Sequence, residues 1–244
     1  MILVAIHQPN LFPRLKTLQK LALADVWIVL DDVQYCQREY QNRTYIVPLK
    51  GKNYWCTLPV VLCNGQKTNI RDVTFAVDNS INILRNVFKY SYKGAIENKE
   101  IFDSILMQME SKSQSSFTEF VVESELALLR LAGFSPQVIY SSTINDTTLG
   151  KTEKLVALCN ALKADTYIAD SGGINYIEES LFDQCHINIL WRVWVKPCQS
   201  SIESISESIR NGSGLNVLAR SKDDFVSIVS QSIISKKRCF AEGK

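Results

Sequence analysis

Residues 2–30 constrain the fold more tightly than any other stretch of the chain. Ile2-Leu3-Val4-Ala5-Ile6 is an apolar run that reads as a first β-strand. Gln8-Pro9-Asn10 stops it, because proline donates no hydrogen bond and asparagine favours turns. Pro13 suits the first turn of a helix. Leu15, Leu18, Leu21 and Leu23, with lysines between them, carry a helical period as far as Ala24-Asp25. Val26-Trp27-Ile28-Val29-Leu30 then follows without a polar break, the pattern of a strand buried on both faces. Strand, helix and strand within about 30 residues predict a parallel pair. The turn after the first strand and the Asp31-Asp32 pair after the second therefore fall at carboxyl ends of parallel strands, where open α/β sheets bind their ligands.

The pattern changes after residue 43. Thr44–Val47 and Tyr54–Leu58 flank Lys50-Gly51-Lys52-Asn53 and read as a hairpin, with Val73–Val77 as a third antiparallel strand. From Ser80 to about Leu131 the period is helical, in two or three segments broken near Gly94 and Ser111–Ser116. Alternation then returns: strand Gln137–Tyr140, helix Lys151–Leu162, strand Thr166–Ala169, a short helix near Ile177–Cys185, strand Ile187–Leu190 and an amphipathic helix over 222–235. The expected architecture is an α/β fold: a mainly parallel, doubly wound sheet carrying an antiparallel hairpin insertion and a helical segment. Residues 1–190 form the α/β domain, with the insertion at about 44–132, and residues 191–244 a C-terminal helical extension.

Composition narrows the function. The 27 basic and 25 acidic residues leave a net charge of +2, which argues against a DNA-binding partner. The 7 cysteines contain no CxxC pair, so zinc and a disulfide framework are not expected, and reduced thiols point to the cytoplasm. No apolar run reaches the ~20 residues of a membrane span, so no membrane insertion is expected. The basic cluster Lys236-Lys237-Arg238 reads as a solvated tail.

Three groups carry candidate chemistry. His7-Gln8-Pro9-Asn10 places one of only 2 histidines at the mouth of the sheet, as a base or as a cap on the turn, with Gln8 and Asn10 adding amide donors. Asp31-Asp32 is followed by Gln34, Arg38, Asn42 and Arg43. Two carboxylates ending a buried strand must face the cleft, bind a cation or pair with arginine. They can hold an ammonium group, act as base or take a divalent metal, or they can close a turn neutralised by Arg38 or Arg43. Arg43 can instead clamp a phosphate. Ser171-Gly172-Gly173, with Tyr176 beyond, lets backbone amides approach an anion or simply makes a tight turn. Ser141-Ser142, Cys36 and Cys56 show no local spacing for a nucleophile and its base.

Taken together these motifs resemble the WbqC-like family, a bacterial group associated with O-antigen and other surface-polysaccharide (lipopolysaccharide) biosynthesis. The likeness rests on Ile6-His7-Gln8-Pro9-Asn10 with Phe12-Pro13, Leu30-Asp31-Asp32-Val33-Gln34-Tyr35, Asn42-Arg43 and Trp55-Cys56-Thr57-Leu58-Pro59-Val60. It continues through Tyr140-Ser141-Ser142, Lys154-Leu155, Tyr167-Ile168, Gly172-Gly173, Tyr176 and Phe182. It covers residues 2–190 and weakens beyond Trp191, where only Ser204-Ile205-Ser206 matches loosely. In the family a methionine can stand at the position of His7, which shifts weight toward Asp31, Asp32 and Arg43.

The resemblance implies a transferase that N-acylates, for instance glycylates, the amino group of a nucleotide-linked amino sugar. His7, Asp31 and Asp32 would be its catalytic residues; Gln8, Asn10, Gln34, Asn42, Arg43, Gly172, Gly173 and Tyr176 would bind substrate. The acyl donor would be acyl-CoA, an acyl carrier or aminoacyl-tRNA. The opening strand–His–helix–strand also looks distantly similar to nucleotidylyl-transferase-like enzymes, without the second histidine and glycine of their signature. That likeness keeps open an amide-forming ligase using ATP and magnesium through an acyl-adenylate. A non-catalytic sugar-nucleotide-binding protein is the third reading. Oligomeric state is not legible.

Overall fold

The computed structural model describes residues 1–95, 98–112, 116–144, 151–192 and 212–241. Its centre is a five-stranded, entirely parallel sheet of β1 (Leu3–His7), β2 (Val26–Val29), β7 (Gln137–Tyr140), β8 (Thr166–Asp170) and β9 (Asn188–Arg192), in the order β7-β2-β1-β8-β9. The expected pair β1–β2 forms in register, with His7 opposite Val29. The connecting helix α1 (Leu15–Leu23) buries Leu15, Leu18 and Leu21 completely. Asp25 ends the unit: its carboxylate accepts the Leu3 N–H at 2.8 Å and its own N–H donates to the Leu3 carbonyl.

Strand alternation splits the core between two faces. Leu3, Ala5, Trp27 and Val29 point toward α1, α4 (Phe117–Leu131) and α8 (Lys222–Ala241). Val4, Ile6 and Ile28 point toward α5 (Lys151–Ala161) and α6 (Glu179–Gln184). The chain moves outward from β1 through β2 to β7, then crosses back to lay β8 and β9 on the other side of β1. The reversal opens a crevice between the carboxyl ends of β1 and β8, the place where doubly wound sheets bind ligands.

The expected three-stranded antiparallel insertion is instead two separate ladders. β3 (Arg43–Ile46) pairs with β4 (Tyr54–Thr57), while β6 (Val73–Phe75) pairs with β5 (Val60–Leu62). Pro59 accounts for the break, because it cannot extend the first ladder with an N–H. The helices α2 (Ser80–Ser91), α3 (Lys99–Glu110) and α4 follow, matching the expected helical segment. No helix among the described residues is long and apolar enough to cross a membrane.

Residues 213–229 lie within the main core. Leu215, Val217, Leu218, Phe225, Ile228 and Val229 are buried there beside α1, while Ser204-Ile205-Ser206 lies outside the described residues. Asn216 in α7 (Gly214–Leu218) ties this segment to the hairpin. Its side chain accepts from the Val47 N–H and the Tyr92 hydroxyl and donates to the Tyr45 carbonyl, at 2.8–2.9 Å. Truncating Asn216 to alanine orphans all three groups, so unfolding in urea should show a loss of about 2–3 kcal/mol.

Candidate active site at the carboxyl edge of the sheet

The turn after β1 is held from four directions. The Gln41 amide donates to Gln8 Oε1 at 2.9 Å, and the Leu11 N–H donates to the Tyr40 carbonyl at 2.8 Å. The Asn10 N–H reaches Glu125 Oε1 at 2.6 Å, and the Phe12 N–H reaches Ser124 Oγ at 3.0 Å. Phe12 sits fully buried at a φ of +46°, a left-handed conformation that costs a bulky residue about 1–2 kcal/mol. The Ser124 contact, the Thr44 hydroxyl on its carbonyl and the Phe88 ring against its own hold it there. The turn is therefore rigid.

Beside it lies a cavity of about 430 Å³ between the ends of β1 and β8, lined in part by His7, Gln8, Lys16, Lys20, Asp170 and Tyr176. Gly172 and Gly173, in the short 3-10 turn Ser171–Asn175 after β8, complete its rim. The Lys20 ammonium is buried within α1, 3.1 Å from the Ile6 carbonyl and 3.5 Å from an Asp170 carboxylate oxygen. His7 stands 3.5 Å from the Thr17 hydroxyl. Burial, and then the Lys20 charge, push the His7 imidazole down from 6.5 to about 4, with Asp170 only partly opposing them. At neutral pH the ring is thus uncharged, with one ring nitrogen able to accept a hydrogen bond. The Tyr176 phenol, raised by burial and by Asp170, remains a hydrogen-bond donor. The two lysines outweigh Asp170, so the cavity favours an anionic ligand.

Asp31 and Asp32 leave β2 at the same edge but on the far side of β1, against the end of β7, and neither lines this cavity. Asp31 is buried and accepts from the Ser141 hydroxyl, the Ser142 N–H and the Ser142 hydroxyl at 3.0, 3.0 and 2.7 Å. Asp32 takes the Ser141 hydroxyl at 2.6 Å and the Lys154 ammonium of α5 at 2.7 Å. Burial raises the Asp32 carboxyl, but Lys154 and Ser141 outweigh it and hold it below its usual value. The cation that neutralises this pair is Lys154, not Arg38 or Arg43. The acids and serines clasp the ends of β2 and β7 together.

The remaining sequence candidates lie apart from the cavity. Asn42 donates its side-chain amide to the Leu58 carbonyl at 2.8 Å, Gln34 is exposed and bridges to Asn69, and Arg43 packs on Trp55. Cys56 is buried, its thiol pushed up to about 11, and Cys36 is exposed. Among the described residues no three His, Cys, Asp or Glu side chains could share a metal ion. Lys16, Lys20, Asp170 and Glu125 were not anticipated. The four-residue spacing of Lys16 and Lys20 does put both on one helical face, the available signal.

Two buried groups set the pH dependence of stability. The folded His7 refuses a proton that the unfolded chain accepts below 6.5, so stability falls from pH 6.5 toward 4, by roughly 3 kcal/mol at full effect. Glu125 is fully buried, and desolvation raises its carboxyl well above 4.5, outweighing the Asn10 N–H. The folded state therefore holds that proton above pH 4.5 while the unfolded state releases it, and stability declines as pH rises. The two effects oppose each other between pH 4.5 and 6.5, so denaturant midpoints should fall more steeply with rising pH in His7→Gln and should rise from pH 4 to 6.5 in Glu125→Gln.

A pinned turn, a histidine and two lysines meet at a crevice on the switch point of a parallel sheet, which makes this an α/β protein with its candidate site where such folds bind ligands. The sequence comparisons then give the family. The model of the WbqC-like protein family matches residues 8–199, and the chain belongs to that family. It is similar to the uncharacterized protein Rv1507c of Mycobacterium tuberculosis (strain ATCC 25618 / H37Rv), 26% identical over 191 residues that cover 77% of this chain and 80% of the relative. No solved structure matches.

Proposed function

We propose that the protein transfers an acyl group to the amine of a nucleotide-linked amino sugar during surface-polysaccharide assembly. The observation that carries this reading is the uncharged His7 facing a cationic cavity of about 430 Å³, within the range of small-molecule sites. Lys16, Lys20 and the Gly172-Gly173 backbone lie where they can meet the phosphates of a nucleotide sugar, and Gln8 and Tyr176 where they can meet hydroxyls. The sugar amine attacks the carbonyl carbon of the acyl donor, and nitrogen loses a proton as the C–N bond forms. His7 accepts that proton. The carbonyl re-forms as the donor's leaving group departs with the electron pair of its bond to the acyl carbon, and His7 returns the proton to that group. Asp31 and Asp32 support this edge through their serine and lysine contacts. Membership of the WbqC-like family and the cationic cavity both support this reading.

The test is product formation from UDP- or dTDP-linked amino sugars with acyl-CoA, charged acyl carrier or aminoacyl-tRNA, followed by mass spectrometry. Amide product independent of ATP bears the reading out. A requirement for ATP and magnesium with pyrophosphate release replaces the transferase with an acyl-adenylate ligase. Nucleotide-sugar binding without product under every donor makes the protein a binding subunit.

A further inference from the structure

A second cavity, of about 310 Å³, lies under the β3–β4 hairpin and shares no lining residue with the His7 cavity. Tyr35, Gln37, Arg38, Asn42 and Arg43 form its polar wall, and Leu58 lies among its apolar lining. Among the described residues lining it are two guanidinium groups and no carboxylate.

Arg43 is held in an unusual state. Its guanidinium carbon lies 4.1 Å from the Trp55 ring centroid, and Trp55 is itself flanked by Tyr40 and Tyr45 at 5.2 and 5.1 Å. This stacking fixes the plane of the guanidinium. Yet its Nε is buried with no hydrogen-bond partner, and among the described residues Arg43 makes no ion pair. A buried, unanswered N–H costs about 1–3 kcal/mol, so stacking on Trp55 holds this guanidinium in place against that cost. Arg38, exposed on the same cavity, holds a left-handed φ of +65° that non-glycine residues rarely adopt. The Tyr35 phenol, pushed up to about 12 by burial, stays protonated and adds another donor to the wall.

We propose that this cavity is a second binding site that takes a small oxyanion, the carboxylate or phosphate group of a ligand distinct from the one in the His7 cavity. A stacked, planar guanidinium presents its donors in the fork that matches two oxygens of such a group, and lysine cannot reproduce that fork. Arg38 supplies the second positive charge. The site stands whether or not the chain acylates an amino sugar, because it shares no lining residue with the His7 cavity.

The experiment is calorimetric titration of the full chain with inorganic phosphate and, separately, acetate, at constant ionic strength. Saturable binding is expected for at least one ion. Arg43→Lys, which keeps the charge, should weaken that binding about tenfold or more, with the melting temperature little changed. Lys20→Gln, which strips a cation from the other cavity, should leave it within about twofold. A phosphate preference assigns the site to a phosphoryl group, and an acetate preference to a carboxylate. The proposal is overturned if neither ion binds, if Arg43→Lys binds like wild type, or if Lys20→Gln abolishes binding instead. The last outcome would place the ion in the His7 cavity instead.

Discussion

Replacing His7 by alanine should reduce turnover of the acylation reaction by about 10²–10⁴-fold while leaving the protein folded. The size follows from what a positioned base contributes when it collects the proton that an attacking amine sheds. Folding should survive because the strand's hydrophobic anchors are Leu3, Val4, Ala5 and Ile6, all buried, whereas His7 sits at the strand's end on the cavity. The wild-type profile gives an independent check. With the imidazole pushed down to about 4, the rate should show no acid limb near the ordinary histidine value of 6.5 and should fall only on approach to pH 4. A His7→Ala protein that keeps full turnover on an identified substrate would remove His7 from the mechanism. An acid limb centred near 6.5 would mean that the ring is less shielded than its surroundings imply.

Asp31→Ala should cost about 3–5 kcal/mol of stability, read as a drop in the urea midpoint without a change in slope. Alanine leaves the Ser142 N–H and hydroxyl without their buried acceptor, leaves the Ser141 hydroxyl only Asp32, and opens the joint between the ends of β2 and β7. Lys154→Met should cost less, about 2–3 kcal/mol, because the Lys154–Asp32 pair keeps 17% and 13% of its side-chain surface exposed. Asp31→Asn preserves shape and some acceptor capacity, so it should fall between alanine and wild type. A loss below about 1 kcal/mol for Asp31→Ala would show that the clasp is not formed. The two aspartates would then be free to act on substrate.

Much of the scaffold was legible in one dimension. An uninterrupted apolar run at Val26–Leu30, preceded by a strand, a proline turn and a leucine-striped helix, leaves a parallel pair as the economical solution. The edge that carries the candidate site follows from it. The strand at β6 is legible as Val73–Val77, but β5, its partner, is not, because a three-residue strand has no period and the effect of Pro59 on pairing depends on which neighbour lies within reach. The helical segment is clear from its repeat, since α2 and α3 each bury one continuous stripe, while α4 is buried nearly all round.

Local periodicity and proline dictate the doubly wound sheet, the HQPN turn at its carboxyl edge and the presence of two acids one strand away, whereas the contacts that make the turn rigid come from distant residues. Only the tertiary structure decided which groups meet. It put Lys20, an interior helix residue, and Asp170, the last residue of a strand more than a hundred positions later, beside His7. It gave the Asp31-Asp32 pair serines and a lysine from β7 and α5 as partners. Long-range neighbours fix both the charge state of the histidine and the occupation of the carboxylates, since desolvation and hydrogen bonding act through space and leave no mark in the order of residues.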